Sequence, residues 1–204
     1  MSLAIYEIQN TIMFSDPVLN KLHKKYGPHE FEDRSELLYE ELVESIIGQQ
    51  LSGKAADTIF KRFLALFNTK FPSPEQLLKT DDEKLRSAGM SYSKASYIKN
   101  IAQAFKNGDL DIKTIKKMND EDVKKELTKI KGVGNWTAEM TLIFTLKRED
   151  VFSLGDAGLR RAIKNLYKIE KDADILKLSE NWKPKRSYAC WYLWKSLDNE
   201  PLPK

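Results

Sequence analysis

Cysteine is almost missing from this chain. Cys190 stands alone among 204 residues, which excludes an internal disulfide framework and any four-cysteine zinc or iron–sulfur site. Histidine is nearly as scarce, and His23 and His29 lie far from any metal-ligand spacing; both read as surface residues. No run of 18 apolar residues is present, so no membrane-spanning helix is expected. The start MSLAIYEIQN lacks the basic residues and apolar stretch of a secretory signal, which points to a reducing compartment. Strand-like alternation is absent except over residues 4–8, and there is no internal repeat or low-complexity segment. Charge of one sign is not in large excess either: 34 basic against 30 acidic residues leave a net charge of +4. That balance suits a nucleic-acid partner without requiring one.

What is present is helical periodicity in a chain 41% hydrophobic and 31% charged, the composition of a soluble globular protein. Asp16-Pro17 reads as an N-cap with proline at the first helical position, and Gly27 as the stop. Residues 36–47 repeat Leu37, Leu38, Leu42, Val43, Ile46 and Ile47 at helical spacing. Ser52 can cap a helix whose core stripe is Ala55, Ile59, Phe63 and Leu66. Two short helices start at Ser73-Pro74 and Asp81, a longer one spans 93–105, and further ones start near Asn119 and span 160–167 and 188–197. Residues 110–117 read as a crossing stretch, and Pro201-Leu202-Pro203 as a loose tail. The expected fold class is all-α: two helical lobes with a cleft between them, about 36–110 forming one and 1–35 plus 111–204 the other.

Residues 127–156, LTKIKGVGNWTAEMTLIFTLKREDVFSLGD, carry the strongest signal. Gly132 and Gly134 permit a tight hairpin between two helical patterns, where a side chain is expected to clash. The helix after the hairpin turns its first backbone N–H groups outward, a ready site for a phosphate diester. Asp156 follows 22 residues beyond Gly134. A lone carboxylate there could stabilise a cationic sugar and orient water. It could also be an ordinary N-cap for AGLRRAIKNLY, and one carboxylate can do both.

This block, with LVESIIGQQLSGKAADTIFKRF at 42–63, AGMSYSKASYI at 88–98 and ENWKPKRSYACWYLW at 180–194, resembles the helix-hairpin-helix DNA glycosylases. The resemblance is strongest to the bacterial 3-methyladenine DNA glycosylase II group, in the compact form lacking an additional β-rich domain. It implies Asp156 as the catalytic carboxylate. It implies Trp136 and Trp194 as aromatic walls of the base pocket, since indole faces attract a cationic alkylated base. Met140, one turn past Trp136, stands where the bacterial group has an aromatic. Trp182 and Trp191 read as core residues, and Cys190 as a buried, inert thiol. Trp136 occupies the position where bifunctional relatives carry a Schiff-base lysine, so water is the implied nucleophile.

The resemblance further implies that Gln49, Gln50 and Leu51 form a wedge loop, with Gln50 or Leu51 filling the gap left by a flipped nucleotide. Gly132, Gly134 and Trp136 amides would meet the DNA backbone, with Lys131 and Lys94 adding charge. Lys183, Lys185 and Arg186 are either a solvated turn or a second phosphate contact. The carbonyls of Thr128, Ile130 and Val133 would hold a monovalent cation; no iron–sulfur cluster or required cofactor is implied. The expected partner is double-stranded DNA with damaged bases, bound by a monomer away from membranes, in the nucleoid-containing cytoplasm of a prokaryote or the nucleus of a eukaryote. The reading is thus a monofunctional base-excision glycosylase for alkylated purines. Its alternatives are a non-catalytic helix-hairpin-helix module, disfavoured by Asp156, and a glycosylase for oxidised or deaminated bases. A helix-turn-helix regulator is more distant, because 137–146 is largely apolar.

Overall fold

Short polar residues fix most helix boundaries in the computed structural model, which describes residues 14–198. Asp16 caps α1 (Pro17–Tyr26). A 3₁₀ turn at Ser35–Leu37 leads into α2 (Leu38–Gly48), and Ser52 caps α3 (Gly53–Ala65). Ser73 and Gln76 form a reciprocal capping box on α4 (Pro74–Lys79), which precedes α5 (Asp82–Ser87). Ser91 caps α6 (Tyr92–Asn107), and Gly108 ends it in the left-handed region. Asp111 caps α7 (Ile112–Ile115) and Asn119 caps α8 (Asp120–Thr128). After the hairpin, α9 (Asn135–Met140) runs into a π turn at Thr141–Thr145. Asp156 caps α10 (Ala157–Tyr167), followed by α11 (Asp172–Glu180) and α12 (Arg186–Leu197).

The described residues contain no strand, and no helix among them is long and apolar enough to cross a membrane. The strand expected at 4–8 and the tail at 201–203 lie outside the described residues. Two helices, α7 and α11, go beyond the sequence expectation. The stretch 110–117 turns helical because the Asp111 carboxylate accepts the Thr114 amide at 2.9 Å. In α11 only Ile175 and Ser179 are buried, too few to give a readable apolar period.

By contacts the chain forms two compact units, one of residues 32–147 and one of residues 1–31 with 148–204. Residues 111–147, which carry the hairpin, pack with the 32–147 unit; the sequence reading drew the first lobe's end near 110. The core of this unit is α2 against α6: Leu42, Val43, Ile46 and Ile47 face fully buried Ala95, Ile98, Ile101 and Ala102. The stripe expected on α3 is covered only at Phe63, which stacks on Phe60 and meets Phe67 and Phe71 edge-on. Within the unit α3 packs chiefly on α2, so Ala55, Ile59 and Leu66 are only half-buried.

The other unit is organised by α12, which packs on α1 and α10. Asp16 is its polar centre. This buried carboxylate accepts Val18 N at 2.8 Å and Leu19 N at 3.1 Å through Oδ1. Its Oδ2 accepts the Tyr167 hydroxyl at 2.9 Å and Trp182 Nε1 at 3.0 Å. Burial first, and Asp16 second, push the Tyr167 phenol far above its ordinary pKa, so it stays a donor. Trp182 is buried core as expected. The histidines are not simple surface groups. His23 Nδ1 lies 2.7 Å from the Tyr192 hydroxyl, which itself donates to Gly27 O at 2.9 Å; the histidine must therefore donate. His29 stacks on Trp191 at 3.9 Å, and burial lowers its pKa against the opposing pull of Glu30.

Replacing Asp16 with alanine removes a cap and leaves a buried phenol and indole N–H without an acceptor. The expected loss is about 3 kcal/mol. Urea unfolding should show a lower midpoint with an unchanged slope.

Candidate nucleic-acid and catalytic site

The hairpin joins α8 to α9 through residues 129–134. Gly132 has φ +110, and a Cβ there would lie 2.8 Å from Tyr97 Cδ2 and closer still to its Cγ. This glycine is needed for backbone shape and for the approach of α6. Gly134 is different: its φ of −94 and ψ of 175 are ordinary extended values, and a Cβ there would meet nothing within 4 Å. The expectation that both glycines serve the turn is therefore corrected to Gly132 alone. Gly134 is the N-cap of α9 and offers no side-chain acceptor to the first-turn amides.

The 49–51 loop is tied to this hairpin. Gln49 Nε2 donates to Thr137 Oγ1 at 3.2 Å and, more weakly, toward Gly132 O at 3.4 Å. Lys94 Nζ donates to Ile47 O and Gln49 O, both at 2.7 Å. Its ammonium thus satisfies the end of α2, and desolvation lowers its pKa. Lys94 braces the loop, in contrast to the free phosphate contact expected of it. Gln50 sits at the tip with φ 59, a conformation seldom adopted by side-chain-bearing residues. Gln50 is exposed, and Leu51 next to it is 38% exposed, so its apolar side chain is not packed into the unit. The loop therefore presents both wedge candidates on a braced stem.

Trp136, in the first turn of α9, is 42% exposed, large for an indole. Met140, one turn on, lines a pocket of about 380 Å³ with Phe60, Phe144 and Thr141; Trp136 is not among its walls. Lys131 is exposed, while its carbonyl accepts Asn100 Nδ2 at 3.0 Å. Of the three carbonyls considered for a cation, that of Ile130 accepts the Val133 amide at 2.9 Å, which leaves it one lone pair.

Asp156 belongs to the other unit. It caps α10, accepting Leu159 N on Oδ1 at 2.7 Å. The same Oδ1 accepts Trp194 Nε1 at 2.8 Å from α12. Both Asp156 and Trp194 are partly exposed. Next to them, Gly158 leaves room that a Cβ would fill at 3.1 Å from Asp156 Oδ1. Gly158 was not singled out in the sequence; a glycine inside an otherwise strong helix was the available signal.

The basic residues 183–186 are internally neutralised. Arg186 forms a bidentate pair with Asp150 at 2.8 and 3.0 Å, Lys185 pairs with Glu149 at 2.6 Å and Lys183 with Glu180 at 2.7 Å. Lys185 and Arg186 latch the start of α12 to residues 149–150, so a free solvated turn does not describe Arg186. Cys190 is buried as expected, with Sγ 3.8 Å from Val151 O.

Residues 43–185 match the family described as HhH-GPD superfamily base excision DNA repair protein. The chain is 39% identical over 183 residues to DNA-3-methyladenine glycosylase 1 of Schizosaccharomyces pombe, covering 87% of this chain and 80% of that relative. Its fold matches the solved structure of a 3-methyladenine DNA glycosylase of the same yeast in complex with abasic DNA. That match has a TM-score of 0.82 at 36% identity and covers 93% and 96% of the two chains. A DNA-3-methyladenine glycosidase from Bacillus halodurans matches with a TM-score of 0.78 at 36% identity, over 90% of this chain and 86% of that one.

The two hairpin glycines should separate in a stability measurement. Gly132→Ala forces the backbone into a strained region against Tyr97 and should cost about 2 kcal/mol or more. Gly134→Ala should change stability by less than about 0.5 kcal/mol. Equal losses in thermal or urea unfolding would contradict the geometry.

Proposed function

The chain belongs to the HhH-GPD superfamily of base excision DNA repair proteins, and we propose that it is a monofunctional DNA glycosylase acting on alkylated purines such as 3-methyladenine. The observation that carries this reading is the Asp156 carboxylate, held by two donors on Oδ1, in a chain with 39% identity to a DNA-3-methyladenine glycosylase. Double-stranded DNA with a damaged base is the substrate, and the related yeast enzyme is described in complex with abasic DNA. The enzyme acts as a monomer.

The chemistry is hydrolysis of the bond between base and deoxyribose. The base leaves with the bonding electron pair, and an N-alkylated cationic purine thereby departs neutral. Positive charge builds on the sugar and is stabilised by Asp156. Water adds to the sugar carbon, and its proton passes through the carboxylate to solvent. The exposed Trp136 face suits a cationic base, and Met140, one turn on, lines its own unit's pocket with Phe60 and Phe144. Gln49 braces the 49–51 loop, and Gln50 or Leu51 fills the duplex gap. Lys131 and the amides around Gly132 and Gly134 meet the phosphates. The reaction itself requires no cofactor. Three neutral carbonyls, of Thr128, Ile130 and Val133, are a donor set suited to a weakly held monovalent cation, which would add positive charge beside the phosphates.

Asp156→Asn is expected to lower single-turnover release of 3-methyladenine from a defined duplex by roughly a hundredfold or more, with gel-shift affinity largely retained. Release at the parent rate would remove Asp156 from the mechanism. Gly134→Ala should instead weaken binding to lesion-bearing and intact duplexes alike.

Trp136 replaces the lyase lysine, so borohydride added during turnover should trap no enzyme–DNA adduct in step with base release. The product should be an intact strand with an abasic site, cleaved only after heating in alkali. Trapping that keeps pace with base release would make the enzyme bifunctional.

A further inference from the structure

The indole N–H of Trp194 is directed at Asp156, not simply at a base pocket. Trp194 donates from α12 to Oδ1 at 2.8 Å, and Leu159 N donates to the same oxygen at 2.7 Å from α10. The backbone donor alone would satisfy the helix cap but leave the carboxylate able to rock about its bond to Cβ. A second donor, on a separate helix, fixes the carboxylate plane. Gly158 adds an independent observation. It lies inside α10, where glycine is a poor choice, and no left-handed φ requires it there. A Cβ at this position would meet Asp156 Oδ1 at 3.1 Å, Trp194 Cδ1 at 3.3 Å and Trp194 Nε1 at 3.4 Å. The volume that a side chain would take is filled by this carboxylate–indole contact.

We propose that Trp194 is a positioning residue that acts on the reaction through Asp156, and that Gly158 is glycine to leave room for this clamp. The inference rests on Asp156 being the catalytic carboxylate. It separates two roles that one indole could have: a face for stacking the base, and an N–H that aims the charge which stabilises the sugar. Preorganised charge acts in the transition state more than in binding. The clamp should therefore govern the rate constant and leave affinity for DNA alone.

Trp194→Phe tests this, because phenylalanine keeps an aromatic face and deletes the donor. Single-turnover release should fall about tenfold or more, the usual order for a lost hydrogen bond to a charged group, with unchanged binding to lesion duplex. In an Asp156→Asn background, followed by long incubations, the same substitution should cost nothing further. Gly158→Ala supplies a second probe: alanine favours the helix, so the unfolding midpoint should hold or rise while base release falls severalfold. A Trp194→Phe rate within twofold of the parent would overturn the proposal. So would an equal loss in both backgrounds, which would assign Trp194 to the base, or a Gly158→Ala enzyme of full activity. Parent-rate release by Asp156→Asn alone would mark the failure as one of the catalytic assignment itself, and the clamp would fall with it.

Discussion

One buried carboxylate, Asp16, holds together the unit that carries Asp156. It takes two amides of α1, the Tyr167 hydroxyl from the far end of α10 and the indole of Trp182 beyond α11. A buried charge with fewer donors would be costly; four donors from three parts of the chain make it a joint. Tyr167 lies at the last residue of the helix that Asp156 begins. Fixing Tyr167 therefore fixes the far end of the rod that Asp156 caps, while α12 packs along the same rod and brings Trp194 to its start.

The 32–147 unit uses a different device. Its hairpin is held by shape, with the Tyr97 ring filling the space that a side chain on Gly132 would need. Polar struts then connect the hairpin to the 49–51 loop: Gln49 reaches Thr137, and Lys94 closes the carbonyl end of α2. Such struts stabilise the stem while Gln50 remains in an unfavourable backbone conformation at the tip. A strained, exposed residue on a rigid base would suit the duplex insertion proposed for this loop, because the loop need not reorganise on binding.

The distribution of charge follows the same division of labour. Several basic residues are already engaged, Lys94 with carbonyls and Lys183, Lys185 and Arg186 with Glu180, Glu149 and Asp150. The modest net charge of +4 is in keeping with the proposal that backbone amides and a few cations such as Lys131 meet phosphate. Phosphate contacts of that kind position a protein on DNA without reading its sequence, which suits an enzyme that must search for damage anywhere.

Helix starts were legible in the amino-acid order because capping is local. Asp16, Ser52, Ser73 and Asp156 each bond an amide two or three residues away, a distance within which composition speaks directly. The hairpin, the lone carboxylate beyond it and the family resemblance were legible for the same reason: they are contiguous blocks. What each residue does within those blocks was decided by tertiary approach. Gly132 and Gly134 look alike in the sequence and differ only because Tyr97 crowds one of them. Lys94 reads as a free cation until the end of α2 arrives above it. Trp194 and Asp156 are 38 residues apart, and only the packing of α12 on α10 turns an aromatic and an acid into one hydrogen-bonded pair. Hydrogen-bond partners at that separation depend on how helices dock, and docking is set by the whole core rather than by any local pattern.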